Sequence, residues 1–379
     1  MKSPKHFAIG WCAGAAVSLL AGAVDPAWAE QPPAPAVRDG SHDFDFNIGV
    51  WHTHIKRVPD ALAGSHQSVE LNGTVTVRKV WGGRAELEEI EADGPNGHWE
   101  GLTLFLYNPA SGQWSQSFID SKAADLGNPL IGEFKNGRGE LYAQDTVGAR
   151  SVLIRGTWSD ITPDAHHFEE DLSDDGGKTW APAFIGGLSR EKGTPAVPTA
   201  AAAAAAPENL PPGTGSPGRD GQHDFDFDLG MWKTHTSRLL NPLTGSTRWV
   251  EMDGTTTVSK VWAGRAYLGE YKADGAESHV ELLVLRWYNP NSHQWNVDFA
   301  TPKVGTLGRP GVGEFTHGRG DFYDTETING RSVLIRFSIW GITADTAQSE
   351  QAFSPDGGKT WEVNWINKYT RIKTTDPQK

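Results

Sequence analysis

Two pairs of titratable residues recur at one spacing in separate parts of the chain: His98 with Glu100, and His279 with Glu281. In a strand, residues two apart share a face. Each pair therefore joins an apolar stripe, Leu102, Leu104 and Leu106 in the first case and Leu283, Leu285 and Trp287 in the second. Facing inward, an imidazole beside a carboxylate would serve as general acid and base in a hydrolase, lyase or isomerase. Facing water, the same residues would only solvate a strand end. Glu89 and Glu270 share a face with Leu87 and Leu268, and Arg155 and Arg336 interrupt otherwise apolar runs. Arginine near glutamates suits recognition of a carboxylate or a sugar, and it also suits a structural ion pair. Trp51, Trp232 and Trp365, together with Asn364, add indoles and an amide that could touch a ligand.

Other chemistries lack their residues. His52 and His54 could place two imidazoles on one strand face, but the corresponding positions later in the chain are Lys233 and His235, so no metal site is expected. His42-Asp43 and His223-Asp224 read as turn or cap residues. No Gly-rich phosphate loop, Gly-x-Ser-x-Gly elbow or His-Glu-x-x-His helix is present, and no cofactor is implied. Cys12 is the single cysteine, which excludes disulfides and Cys-based zinc sites.

The elements that must position these residues come in two sets. Residues 38–190 recur as 219–371 without an insertion or deletion, and roughly half of the paired positions are identical. Arg38-Asp39-Gly40 returns as Arg219-Asp220-Gly221, and Ser173 to Trp180 as Ser354 to Trp361. A repeat this long is a whole domain, far beyond the 20 to 50 residues or so of a solenoid unit. Two domains are expected, 38–190 and 219–373, each with its own core.

Residues 1–29 have a basic start, an apolar run and the small-residue pattern Ala27-Trp28-Ala29, as in a secretory signal peptide cleaved after Ala29. Cys12 would leave with it. Losing Lys2, Lys5 and Asp25 takes the formal charge from −13 to −14. A periplasmic or secreted protein is expected, with no membrane partner after cleavage. No basic run offers a surface to phosphates, so nucleic acid is not an expected partner. Residues 30–37 form a Pro/Ala tail, 191–218 an Ala/Pro-rich linker with seven consecutive alanines, and 374–379 a C-terminal tail.

Within each copy the pattern is strand after strand. About ten short segments of alternating or β-branched residues are separated by turn signals such as Asn136-Gly137 and Asp174-Asp175-Gly176-Gly177. An antiparallel meander follows, finished as a closed barrel or a sandwich. Gly49-x-Trp51 and Gly230-x-Trp232 open the first strands, and Arg190 and Arg371 follow the last. This resembles the calycin superfamily of lipocalin-like barrels, in which the tryptophan plugs one barrel end and the arginine packs across the indole. The resemblance implies an all-β fold of two tandem antiparallel calycin-like barrels.

A wider set of motifs is similar to a bacterial family, domain of unknown function 1579. They are His42-Asp43-Phe44-Asp45-Phe46, Arg57, Gly132-Glu133-Phe134, Ile161-Thr162-Pro163-Asp164, Ser173-x-Asp175-Gly176-Gly177-Lys178-Thr179-Trp180 and Arg190, with counterparts in the second copy. The resemblance implies the barrel and supplies no established reaction. The Ser-x-Asp-x-Gly-x-Thr-Trp segments match the Asp-box of sialidase-like propellers, but one per domain reads as a hairpin whose aspartate binds turn amides. The expected function is binding of a small, partly apolar ligand inside a barrel; a Glu/His enzyme and a protein-interaction scaffold are the alternatives. The copies are expected to differ, because Ala183-Phe184 and Gly156 stand where the second copy has Asn364-Trp365 and Phe337. If those positions face inward, the second barrel is expected to carry the site.

Overall fold

The computed structural model describes residues 38–190 and 220–373. The expected signal peptide, tails and linker lie outside the described residues. The first repeat forms β1 (Gly49–Arg57), β2 (Val69–Val80), β3 (Ala85–Gly94), β4 (Gly97–Asn108), β5 (Gln113–Asp120), β6 (Leu130–Lys135), β7 (Arg138–Val147), β8 (Arg150–Ser159), β9 (Ala165–Ser173) and β10 (Ala181–Arg190). The second forms β11 (Gly230–Leu239), β12 (Trp249–Val261), β13 (Ala266–Asp274), β14 (His279–Asn289), β15 (Gln294–Ala300), β16 (Gly311–Thr316), β17 (Arg319–Ile328), β18 (Arg331–Trp340), β19 (Thr346–Ser354) and β20 (Glu362–Arg371). Consecutive strands pair antiparallel, and β1 pairs with β10 as β11 does with β20, so two closed ten-stranded barrels result. Closure removes the exposed sheet edges that an open meander would leave.

Local chemistry sets the strands. In β6 Leu130, Gly132 and Phe134 are buried and the residues between them exposed, the two-residue alternation of a wall with one apolar face. The β6–β7 turn uses Asn136 at φ 53° and Gly137 at φ 77°, the left-handed pair that a two-residue hairpin requires.

One end of each barrel is sealed. Trp51 is fully buried, its Nε1 donates to the Asn47 carbonyl at 2.7 Å, and the Arg190 guanidinium lies 3.8 Å from the ring centroid. Trp232 donates to the Asp228 carbonyl at 2.7 Å under Arg371 at 4.0 Å. These two tryptophans are end plates; neither lines a cavity. At the other end, the β9–β10 hairpin holds Asp175, which accepts from the Lys178 and Thr179 amides at 2.9 and 3.0 Å. Those bonds, with the Thr179 hydroxyl, hold its carboxyl down at about 2. Asp356 repeats the arrangement.

The two barrels pack side by side. Their shared apolar cluster joins Trp81, Leu87, Leu102, Leu104 and Leu106 to Trp262, Leu268, Leu283, Leu285 and Trp287. The leucine stripes of β4 and β14 thus face outward, away from their own barrel interiors and into the neighbouring barrel. Around the cluster the polar contacts come in reciprocal pairs related by the repeat. Trp81 N donates to Glu270 and Trp262 N to Glu89; Arg84 bonds Glu281 and Arg265 bonds Glu100. Such reciprocity is that of an isologous two-fold interface, here built within one chain. Two further contacts between the barrels are not related by the repeat: Asn108 Nδ2 reaches the Val304 carbonyl at 2.9 Å, and Trp287, whose counterpart is Leu106, reaches the Ala124 carbonyl through Nε1 at 3.1 Å.

Candidate functional site

The first barrel is hollow toward its hairpin end. A cavity of about 870 Å³ is walled by Trp99, Phe118, Trp158, Phe168 and Phe184, residues that alternate inward along β4, β5, β8, β9 and β10. Four polar side chains face it from β3, β4 and β5: Glu88, Thr103, Gln116 and Asp120, the last accepting from Trp99 Nε1 at 2.5 Å. Thr103 Oγ1 donates to Glu88 Oε1 at 2.7 Å, and Asn47 Nδ2 donates to Glu88 Oε2 at 3.1 Å. Gln116 Oε1 accepts from Trp158 Nε1 at 3.1 Å. Burial pushes the Glu88 carboxyl up, and the two donors only partly offset it.

Glu170, on β9, is a further acid of the cavity. It is flanked on its face by Phe168 and sits opposite Phe184 and Gly156 across the two neighbouring pairings. It makes no hydrogen bond or close ion pair among the described residues, and its remaining accessible surface opens onto the cavity. Burial raises its carboxyl too, with the Arg57 charge working against the shift. Arg57 is engaged elsewhere, 3.8 Å from Asp120 and 5.4 Å over the Trp99 ring.

The second barrel differs at the same positions. Gly269, Val284, Val297 and Gln351 stand where the first has Glu88, Thr103, Gln116 and Glu170, and Phe337 occupies the place of Gly156. Its cavity is about 470 Å³. Part of its polar surround is satisfied internally: Thr236 Oγ1 bonds Tyr271 and Asn367 at 2.7 Å each, and Asn367 also bonds Trp365 and Tyr369 at 2.9 Å each. Asp298 Oδ2 and Asp324 Oδ1, which also belong to the lining, have no hydrogen-bond partner among the described residues, and burial pushes the two carboxyls up to about 6 and about 7. Deeper in, Arg286 and Asp228 form a buried ion pair at 2.5 Å where the first barrel has Phe105 and Asn47.

The candidate residues read from sequence divide by face. His98 and Glu100 do meet, at 3.2 Å, and Glu100 is also bonded by Arg265 of the second barrel. His279 and Glu281 lie 3.3 Å apart, and Glu281 is bonded by Arg84. Both pairs, like Glu89 and Glu270, are on outer walls at the contact between barrels, so the inward acid/base geometry does not form. The two-residue period groups them correctly; what it leaves open is which face is inside, because here both faces are apolar. Arg155 and Arg336 are also on outer walls, paired with Asp171 at 2.8 Å and Glu350 at 3.0 Å and stacked on Trp180 and Trp361. Trp365 lines the second cavity, whereas Asn364 sits at a β-bulge opposite Gln351 and Ala352, buried and outside the lining. The expectation from sequence places the site in the second barrel; of the two cavities, however, the first is the larger, and where the second has Phe337 the first has Gly156, packed against Leu130 and Phe168.

Glu88 and Glu170 were not singled out by sequence. Glu88 lies in the acidic run Glu86 to Glu91 and Glu170 in Glu169-Glu170-Asp171, where the adjoining acids Glu89, Glu169 and Asp171 point to the outer wall. A usable signal did exist: the second copy replaces both with uncharged residues, so neither belongs to the common scaffold.

No family model matches the chain, and no curated protein matches it. Solved structures give distant likenesses. A protein of unknown function from the DUF3598 family of Nostoc punctiforme is 13% identical over 88% of this chain and 100% of its own, with a TM-score of 0.27. An S-type phycobiliprotein lyase from Guillardia theta is 11% identical over 42% of this chain and 96% of its own, at 0.31. A de novo designed fluorescence-activating β-barrel is 14% identical over 41% and 99%, at 0.23.

Below the cavity, Glu86 is buried with neither carboxylate oxygen hydrogen-bonded to a described donor. Burial, then the neighbouring Asp45 charge, pushes its carboxyl up to about 8. A proton held in the folded state and lost by the unfolded chain stabilises below the ordinary carboxyl range, and that contribution disappears as pH rises through about 8. Glu86→Gln is therefore expected to raise the unfolding free energy of the first barrel at pH 8 by an amount on the order of a few kcal/mol, seen as a higher urea midpoint, and to do little at pH 4. Parallel urea titrations at the two pH values check the sign; equal shifts would mean that Glu86 is ionised in the fold.

Proposed function

We propose that the chain is a tandem-barrel binding protein whose N-terminal barrel holds a small, partly apolar molecule. The observation that carries this reading is the aromatic-walled cavity with one inward carboxylate, Glu170, that has no hydrogen-bond partner among the described residues, a combination typical of ligand sites. The second barrel, with its smaller cavity, acts as the supporting partner. Two domains of the domain of unknown function 1579 type, at 38–190 and 219–373, and export directed by residues 1–29 belong to the same proposal.

A solvatochromic neutral dye such as Nile red tests it. Its fluorescence is expected to rise and saturate with the mature protein, and Ile154→Trp, which puts an indole into the cavity, is expected to weaken binding about tenfold or more. Undiminished dye binding by a folded Ile154→Trp variant removes the first barrel as the site. The intact mass of the same preparation, recovered from its native host, reports export: a chain beginning at Glu30 is expected, and one retaining residues 1–29 counts against it.

A further inference from the structure

The cavity of the first barrel carries a charge preference. Strands β3 and β9 are four steps apart around a ring of ten, so Glu88 and Glu170 approach the cavity from nearly opposite walls. Glu88 is fixed by two donors, whereas Glu170 has none among the described residues. The basic residue of the lining nearest to Glu170 in the sheet, Arg57, is turned to Asp120 and Trp99. Toward the mouth, Asp60, Asp125 and Asp145 face Lys122 and Arg150, so the rim also has an acidic excess. An anion would meet like charge from rim to floor. A cation would find carboxylates without counter-ions beside aromatic faces, the two features that recognise ammonium groups.

We propose that the ligand of the N-terminal barrel is an organic cation, an apolar or aromatic body carrying an amine or quaternary ammonium. Glu170 is its counter-ion, Glu88 is the second acid, and Phe168, Phe184 and Trp158 wall the bound molecule. The inference rests on the cavity being a binding site. Burial raises the affinity of both carboxyls for protons, and a cation seated between them would oppose that shift. The second barrel has Gly269 and Gln351 in place of these two acids, and the carboxylates of its cavity, Asp298 and Asp324, come from different positions.

Three dyes of similar size distinguish the possibilities in the full mature chain: thioflavin T as cation, Nile red as neutral, and 1-anilinonaphthalene-8-sulfonate as anion. Thioflavin T is expected to bind about tenfold or more tighter than the sulfonate. Glu170→Gln is expected to weaken thioflavin T about tenfold while leaving Nile red within about twofold, and Glu88→Gln to act in the same direction. Circular dichroism of each variant confirms that the barrel is intact. If Nile red binds in an Ile154-dependent way but thioflavin T shows no preference, or Glu170→Gln leaves it unchanged, the cation is wrong and the cavity stands. If no dye responds to Ile154→Trp, the binding reading itself falls with it.

Discussion

Residues 38–190, expressed without the second half of the chain, are expected to run as a homodimer rather than a monomer. The face that meets the second barrel exposes Trp81, Leu87, Leu102, Leu104 and Leu106 once that barrel is gone, an apolar patch of the kind monomers do not leave in water. Its polar rim is self-complementary. Trp81 N would find Glu89 in place of Glu270, and Arg84 would find Glu100 in place of Glu281, because each partner is the repeat equivalent of the other. The same holds for residues 219–379, which carry Trp262 and Arg265 opposite Glu270 and Glu281 and are expected to fold on a barrel core of their own. Light scattering at about 10 μM should give twice the monomer mass. Leu104→Asp in the first domain should return a folded monomer, since a buried unpaired carboxylate at the patch centre is costly. A monomeric wild-type domain would show that the contact depends on the linker holding the halves together.

A second large effect is expected deep in the other barrel. Arg286 and Asp228 are both almost fully buried and serve each other, with Arg286 lying 4.8 Å over the Phe225 ring. Removing one member leaves a buried charge alone, so Asp228→Asn and Arg286→Phe are each expected to cost about 3 to 5 kcal/mol. The double variant restores the Asn and Phe of the first barrel, where Phe105 packs 4.5 Å from Phe44, the counterpart of Phe225. It is expected to return to within about 1 kcal/mol of the parent, because a well-packed apolar replacement for a buried pair is often neutral. Urea denaturation of the four proteins closes the cycle. Additive losses in the double variant would show that the pair acts independently or that Gly269 leaves a void which phenylalanine cannot fill.

Much of the fold was legible because its signals are local. Turn dipeptides such as Asn136-Gly137 mark strand ends, Gly49-x-Trp51 with Arg190 marks a plugged barrel, and Ser173 to Trp180 marks a hairpin, which the structure builds on Asp175. The site was less legible, for one physical reason. Period-two reasoning separates two faces of a strand and names the apolar one as inside, but β4 is apolar on both: Trp99 and Phe105 fill the barrel, while Leu102, Leu104 and Leu106 cover its neighbour. The leucine stripe therefore drew His98 and Glu100 toward an interior that they do not face. The acids that do face inward, Glu88 and Glu170, were hidden among acids of the outer wall next to them in sequence, Glu89 in one case and Glu169 and Asp171 in the other.

The contacts between barrels reach further than packing. Lys122, Asp125 and Asn128 edge the first cavity, and their loop is held by Trp287 and Asn291 from the sealed end of the second barrel, bonding the Ala124 and Lys122 carbonyls at 3.1 and 3.0 Å. Asn108 and Ser115 hold the Val304 and Gly305 carbonyls in the loop that edges the second cavity. Each doorway is thus framed partly by the other half of the chain. A substitution at Asn108 or Asn291 in one barrel is therefore expected to alter the entrance of the other, through the loop whose carbonyl it holds.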